Sequence, residues 1–158
     1  MDIINELLKF SEDLLTLNSP VEPKKIQEFE KKVGLRLPND YKEFIQNYDG
    51  VDLAGTAVYG ISTSSQSLED MYLFEHNEVG NPMPHYLIPF SPDGGGNHYC
   101  FDTRFCNELS CNIVFWQHDY KYDELDPSEI VNHSFTDWVK DVLIGWTLEE
   151  YNYDGTEK

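Results

Sequence analysis

The chain is poor in positive charge. Its 158 residues hold 11 lysines and arginines against 29 aspartates and glutamates, a formal net charge of −18 at pH 7. Nucleic-acid binding depends on basic side chains neutralising phosphates, and attraction to anionic lipid depends on the same cations, so both classes of partner are set aside. Long apolar runs are missing too: nothing approaches the roughly 20 residues needed to cross a bilayer. The opening stretch MDIINELLKF carries Asp2 and Glu6 where a secretory leader would carry lysine or arginine, so a cytoplasmic protein is expected. Cysteine is scarce. Cys100, Cys106 and Cys111 are an odd number without a CxxC spacing, which reads as reduced thiols rather than a disulfide framework. Together with His98 they offer four potential zinc ligands, but zinc knuckles space their cysteines two to four residues apart, so no metal and no cofactor are assigned. Internal repeats, low-complexity linkers and composition breaks are also lacking, which leaves one domain.

What is present supports a real core. Apolar residues make up 40% of the chain and aromatics 14%, and a chain of this length buries roughly 70% of its unfolded surface. The negative charge is unevenly spread. Residues 1–50 hold 7 basic and 10 acidic side chains, residues 51–118 hold 1 and 8, and residues 119–158 hold 3 and 11. A basic protein would be drawn to such a field, with association accelerated about 10- to 1000-fold by steering.

Strand signals concentrate between Tyr86 and Asp119. YLIPF, HYCFD and NIVFW are apolar runs of strand length separated by turn chemistry, the pattern of an antiparallel meander. In the middle run Tyr99 and Phe101 alternate with His98, Cys100 and Asp102, so the two sets face opposite sides. The last run is apolar at successive positions, as in a strand covered on both faces. The turn SPDGGG needs backbone freedom, and Asp93 and Asn97 are placed to tie it around Gly94, Gly95 and Gly96.

Helical spacing marks the two ends. Residues 2–17 are expected to form a first helix through Ile3, Ile4, Leu7, Leu8, Phe10, Leu14 and Leu15. A second begins at Pro23, carries Ile26, Phe29 and Val33, and closes at Gly34. A third opens at Pro38 or Asn39, buries Tyr41, Phe44, Ile45 and Tyr48, and ends at Gly50. Thr56–Ile61 reads as the first strand of the sheet, Ser62–Gln66 as a polar loop, and Ser67 as the start of a short surface helix. Ser134 caps a final helix whose stripe is Phe135, Trp138, Val139, Val142, Leu143 and Trp146. The tail beyond Tyr153 is expected to fray. The domain layout is therefore an N-terminal helical extension over residues 1–20, a main domain over 21–150 and a polar tail over 151–158.

The ordered set IQEFEKKVGLRLPNDYKEFIQNYDG, a YG strand, IPFSPDGGGNHYCFD, IVFWQHD and SFTDWV resembles the SUKH superfamily, whose relatives include yeast cell-wall regulatory proteins and many bacterial immunity proteins. The likeness runs from about Val21 to Leu143. It implies an α+β fold in a single domain: N-terminal helices, a central, mostly antiparallel sheet, and a C-terminal helix packed on it. In function it implies an immunity protein that binds and neutralises a cognate toxin, often a nuclease, and catalyses nothing. The alternative is a non-catalytic regulatory or scaffold module, with a hydrolase a distant third.

A hydrolase would draw on His98, Cys100, Asp93 and Asp102, where a cysteine and a histidine two apart on one strand face could act as nucleophile and base. The glycine run lacks the lysine and following helix of a phosphate loop. For binding a basic toxin, exposed acids and aromatics matter more. Asp119, Tyr120, Tyr122, Asp123, Glu124 and Asp126 gather both types in one segment. Glu69, Asp70, Glu75 and Glu78 form a second acidic candidate.

Overall fold

The computed structural model describes residues 2–62 and 67–158, so most of the loop expected over Ser62–Gln66 lies outside the described residues. Helix α1 spans Ile3–Leu7 and is capped by Asp2, whose carboxylate accepts the N–H groups of Ile4 and Asn5. It stops well short of the helix expected over 2–17. Leu15–Leu17 instead form strand β1, paired antiparallel with β2 (Val51–Leu53), which turns back into β3 (Thr56–Val58). A ladder partner brought from 38 residues away in register Leu15–Leu53 outweighs the helical preference of the isolated stretch. These three strands make a sheet of their own, so β3 is not the first strand of the central one.

Helix α2 (Pro23–Val33) starts on proline and ends at Gly34, which has φ +72°. Helix α3 (Asn39–Asn47) buries Tyr41, Phe44 and Ile45 but closes at Tyr48, before Gly50. Glu30 fixes the corner between the two helices: its carboxylate accepts the Leu37 N–H at 2.8 Å and meets the Lys42 ammonium at 2.8 Å. Helix α4 (Leu68–Asn77) is capped by Ser67, which accepts the Asp70 N–H.

The central sheet has four antiparallel strands in sequence order: β4 (Leu87–Pro92), β5 (His98–Cys106), β6 (Cys111–Trp116) and β7 (Glu129–Asn132). Strand β7 is an addition that its short, half-polar sequence did not announce. The three-stranded sheet abuts β4, where the Tyr59 N–H donates to the Phe90 carbonyl and the Ser91 hydroxyl donates to the Ala57 carbonyl. That leaves β7 as the outer edge. In-register pairing of Cys106 with Cys111 across the β5–β6 turn joins them in a disulfide, so only Cys100 remains a free thiol. This corrects the expectation of three reduced cysteines: antiparallel pairing, which residue spacing alone does not reveal, sets the two sulfurs side by side.

The C-terminal helix packs on one face of this sheet. It runs as α5 (Phe135–Trp138), a π-helical segment over Val139–Ile144, and α6 (Gly145–Glu150), with Ser134 capping the Asp137 N–H. Phe135 and Trp138 sit wholly inside an aromatic core with Tyr41, Phe44, Phe90 and Phe101. A π segment adds residues per turn and rotates everything after it. Ile144 and Thr147 therefore face inward, and Trp146, expected on the buried stripe, is 57% exposed. A second, smaller cluster covers the opposite face of the sheet, with Met83, Leu87, Cys100, Val114 and Trp116. Both faces of β5 and β6 are thus covered, which is why β6 is apolar at successive positions.

The tail does not fray. Asn152, Gly155 and Thr156 close a turn, Tyr151 bridges to Glu157, and the Tyr153 ring packs at a tilt against Phe10, with centroids 4.8 Å apart. The Ser11 N–H donates to the Tyr153 carbonyl and the Tyr153 hydroxyl donates to Glu6. The chain ends are tied to each other.

Candidate functional site

The connection from β6 to β7 is an acidic, aromatic projection with its own internal frame. Asp123 accepts the N–H groups of Leu125 and Asp126, both at 2.8 Å, and so holds the tip in a tight turn. The Tyr120 hydroxyl donates to the Asp126 carboxylate, and the Tyr120 and Tyr122 rings lie 4.8 Å apart. Hydrogen bonding to Asp126 first, and the Asp126 charge next, push the Tyr120 hydroxyl above its ordinary value. Tyr122 reaches back: its hydroxyl accepts the Gln117 N–H and its ring packs against the second core cluster. Asp119, Asp123, Glu124 and Asp126 are all exposed. At the tip Leu125 is 96% exposed, between Glu124 and Asp126 in the chain. Leu125 has no signature in the sequence, because a lone leucine in a polar loop carries no periodic signal.

The glycine turn braces the root of this projection. Asp93 Oδ1 accepts the N–H groups of Gly95 at 2.7 Å and Asn97 at 3.0 Å, while the Asn97 amide donates to Asp93 Oδ2. These bonds, led by Gly95, outweigh the opposing effect of burial and hold the Asp93 carboxyl below its usual range. Gly94 and Gly96 have φ of +87° and +93°, and a Cβ on Gly96 would meet the His118 ring at 3.0 Å. Asn97 Oδ1 accepts the His118 N–H, and the Asn81 amide donates to the carbonyls of His118 and Tyr120. Two separate segments thus fix where the acidic projection leaves the sheet.

The second acidic group separates into different environments. Asp70 on α4 and Glu78 just after its end are exposed, and Glu69 pairs with Lys32 of α2. Glu75 is buried, which removes it from any acidic face: Leu68, Tyr72 and Glu75 share the inward side of α4 at helical spacing. Its Oε1 lies 3.7 Å from His98 Nδ1, and burial raises its carboxyl above the ordinary range.

His98 and Cys100 do not form a nucleophile–base pair. His98 Nε2 is 3.2 Å from the Tyr59 hydroxyl, and burial lowers the imidazole to about 4. The Cys100 thiol lies against Met83 Sδ at 3.9 Å, and burial pushes it well above its normal value. A protonated, enclosed thiol is a poor nucleophile. Asp102 is likewise structural, paired bidentately with Arg104, whose guanidinium stacks over Tyr86. Among the described residues, no three histidine, cysteine or carboxylate side chains converge to hold a metal ion. Among the described residues, no helix is long and apolar enough to cross a membrane.

Helices packed with two antiparallel sheets, and an acidic loop joining β6 to β7, define a small α+β domain. The chain belongs to the SMI1 / KNR4 family (SUKH-1), whose model matches residues 20–141. It is similar to the SPbeta prophage-derived uncharacterized protein YokK of Bacillus subtilis (strain 168), at 26% identity over 141 aligned residues, covering 72% of this chain and 70% of that protein. It is also similar to the uncharacterized protein YnaB of the same strain, at 29% identity over 133 residues, 84% of this chain and 82% of that one. A crystal structure of a protein from Pseudomonas syringae pv. tomato shares the fold, with a TM-score of 0.67 over 91% of this chain and 98% of that chain at 18% identity.

Proposed function

We propose that this chain is an immunity protein that binds and neutralises a cognate polymorphic toxin, a basic domain of nuclease type, through its acidic exterior and without catalysis. The observation that carries the reading is the braced projection Asp119–Asp126. It exposes Leu125 and Tyr120 in one segment with Asp119, Asp123, Glu124 and Asp126, on a chain of net charge −18. A nuclease surface is built to meet phosphate, and an acidic protein surface competes for the same positive groups. Anchors surrounded by charge supply the desolvated contacts that hold a complex once steering has brought the partners together. Membership of the SUKH-1 family supports a protein partner. The site acts in the cytoplasm, where a toxin would reach its target.

The experiment is co-purification of this protein with the product of the adjacent toxin gene, followed by rescue of cells that express that toxin. Survival that depends on this chain, with a stable complex weakening as salt rises, is the expected result. A toxin neither bound nor neutralised would refute the reading.

A further inference from the structure

A groove of about 440 Å³ runs between the edge strand β7 and the C-terminal helix. Phe115, Val142 and Trp146 give it apolar lining, and its two charged lining residues, Glu129 and Asp141, are both acidic. Trp146 is 57% exposed and Ile130, on the edge strand itself, 51%. The π-helical segment is what turns Trp146 out of the core toward this groove. Beyond its pairing with β6, the backbone of β7 makes no hydrogen bond among the described residues. An unpaired strand edge beside an apolar groove is the arrangement that receives an added strand, with backbone bonds supplying affinity and the groove supplying side-chain selection.

Charge decides the occupant. A second copy laid along β7 would bring Glu129 and Asp141 of two strongly acidic chains together, which opposes self-association. A basic segment gains from both carboxylates. We propose that this groove takes an extended segment of the partner protein that alternates lysine or arginine with apolar residues, adding a strand to β7 and seating an apolar side chain against Trp146 and Phe115. The inference rests on the reading of this chain as the binder of a basic toxin, and it names a surface separate from the Asp119–Asp126 projection.

The probe is a synthetic peptide of alternating lysine and valine, of ordinary strand length, about six residues. It is titrated into the isotopically labelled protein while the backbone amides are followed by NMR. The expected result is saturable shifts at residues 129–132 and at the Trp146 indole N–H. The double variant Glu129→Lys/Asp141→Lys and the variant Trp146→Ala each weaken binding about tenfold or more, a loss in the range of a central interface contact. A peptide N-methylated at alternate residues loses binding, because it cannot complete the ladder. Equal binding of the N-methylated peptide, shifts confined to residues 119–126, or dimerisation of the free protein through β7 would each overturn the proposal. Thermal melts establish that the variants remain folded. The same variants then enter the toxin co-purification. Wild-type toxin affinity in all of them refutes the groove and leaves the immunity reading intact, whereas a toxin that wild type does not bind refutes the immunity reading while the peptide result still judges the groove.

Discussion

Gly60 lies so close to Asp49 that a Cβ on it would sit 2.1 Å from the Asp49 carbonyl oxygen and 2.5 Å from its Oδ1. The contact follows from how Asp49 is used. Its buried carboxylate accepts the N–H groups of Ile61 at 2.6 Å and Ser62 at 2.7 Å, binding the exit of α3 to the exit of β3. Two backbone stretches meet there with room for hydrogen only. Gly60→Ala is expected to lower stability by about 2–4 kcal/mol, an overpacking cost against rigid backbone rather than a flexible side chain. Urea denaturation checks it; a midpoint unchanged from wild type would show that the junction yields.

Trp138 and Trp146 stand two turns apart on one helix and should answer very differently. Trp138→Ala removes a side chain with no exposure and is expected to cost about 3–5 kcal/mol. Trp146→Ala sits beyond the π segment and is expected to change stability by about 0.5 kcal/mol or less. Equal losses in a pair of denaturation curves would mean that the helix continues as a regular α-helix.

Tyr153 is predicted to be part of the folded body. Tyr153→Ala deletes the tilted ring contact with Phe10 and the hydrogen bond to Glu6, and is expected to cost about 1–2 kcal/mol. Hydrogen exchange of the Ser11 amide, which donates to the Tyr153 carbonyl, should quicken in the same variant.

His98 gives a pH signature. Its folded value of about 4 lies below its ordinary 6.5, so between these limits the unfolded chain binds more protons and stability rises with pH. The contribution is complete above pH 6.5 and is lost as pH falls toward 4, an amount of about 3 kcal/mol at most. Raised Glu75 acts in the opposite sense, losing stability as pH rises past its unfolded value. Comparing wild type with His98→Gln isolates the histidine: the stability difference should grow in favour of wild type from pH 4 to 6.5. A difference independent of pH would show that His98 titrates normally.

On the acidic projection, charge and framework can be separated. Asp119→Lys/Glu124→Lys reverses two exposed charges that hold no part of the turn, and is expected to slow association with a basic toxin at low salt. Asp123→Ala breaks the turn that presents Leu125, and should raise dissociation instead. Stopped-flow or surface-based kinetics at two salt concentrations distinguish these, and identical rates for all three proteins would place the contact elsewhere.

Local chemistry by itself settled a good deal of this protein. Pro23 and Gly34 bracket α2, Ser67 and Ser134 cap their helices, and alternation assigns Tyr99 and Phe101 to one face of β5, because each of these depends on neighbours a few residues away. The acidic balance and the clustering of Asp119–Asp126 were equally legible. Other features were decided only when distant segments met. Leu15–Leu17 became a strand because Val51–Leu53 lay alongside, Cys106 met Cys111 through pairing of two strands, and Glu75 turned inward beside His98. The π segment that exposes Trp146, and with it the groove beside β7, depends on how the final helix must fit an aromatic core drawn from four elements. Spacing in the chain records only local periodicity, whereas the choice among competing partners is made by the free energy of the whole packed body.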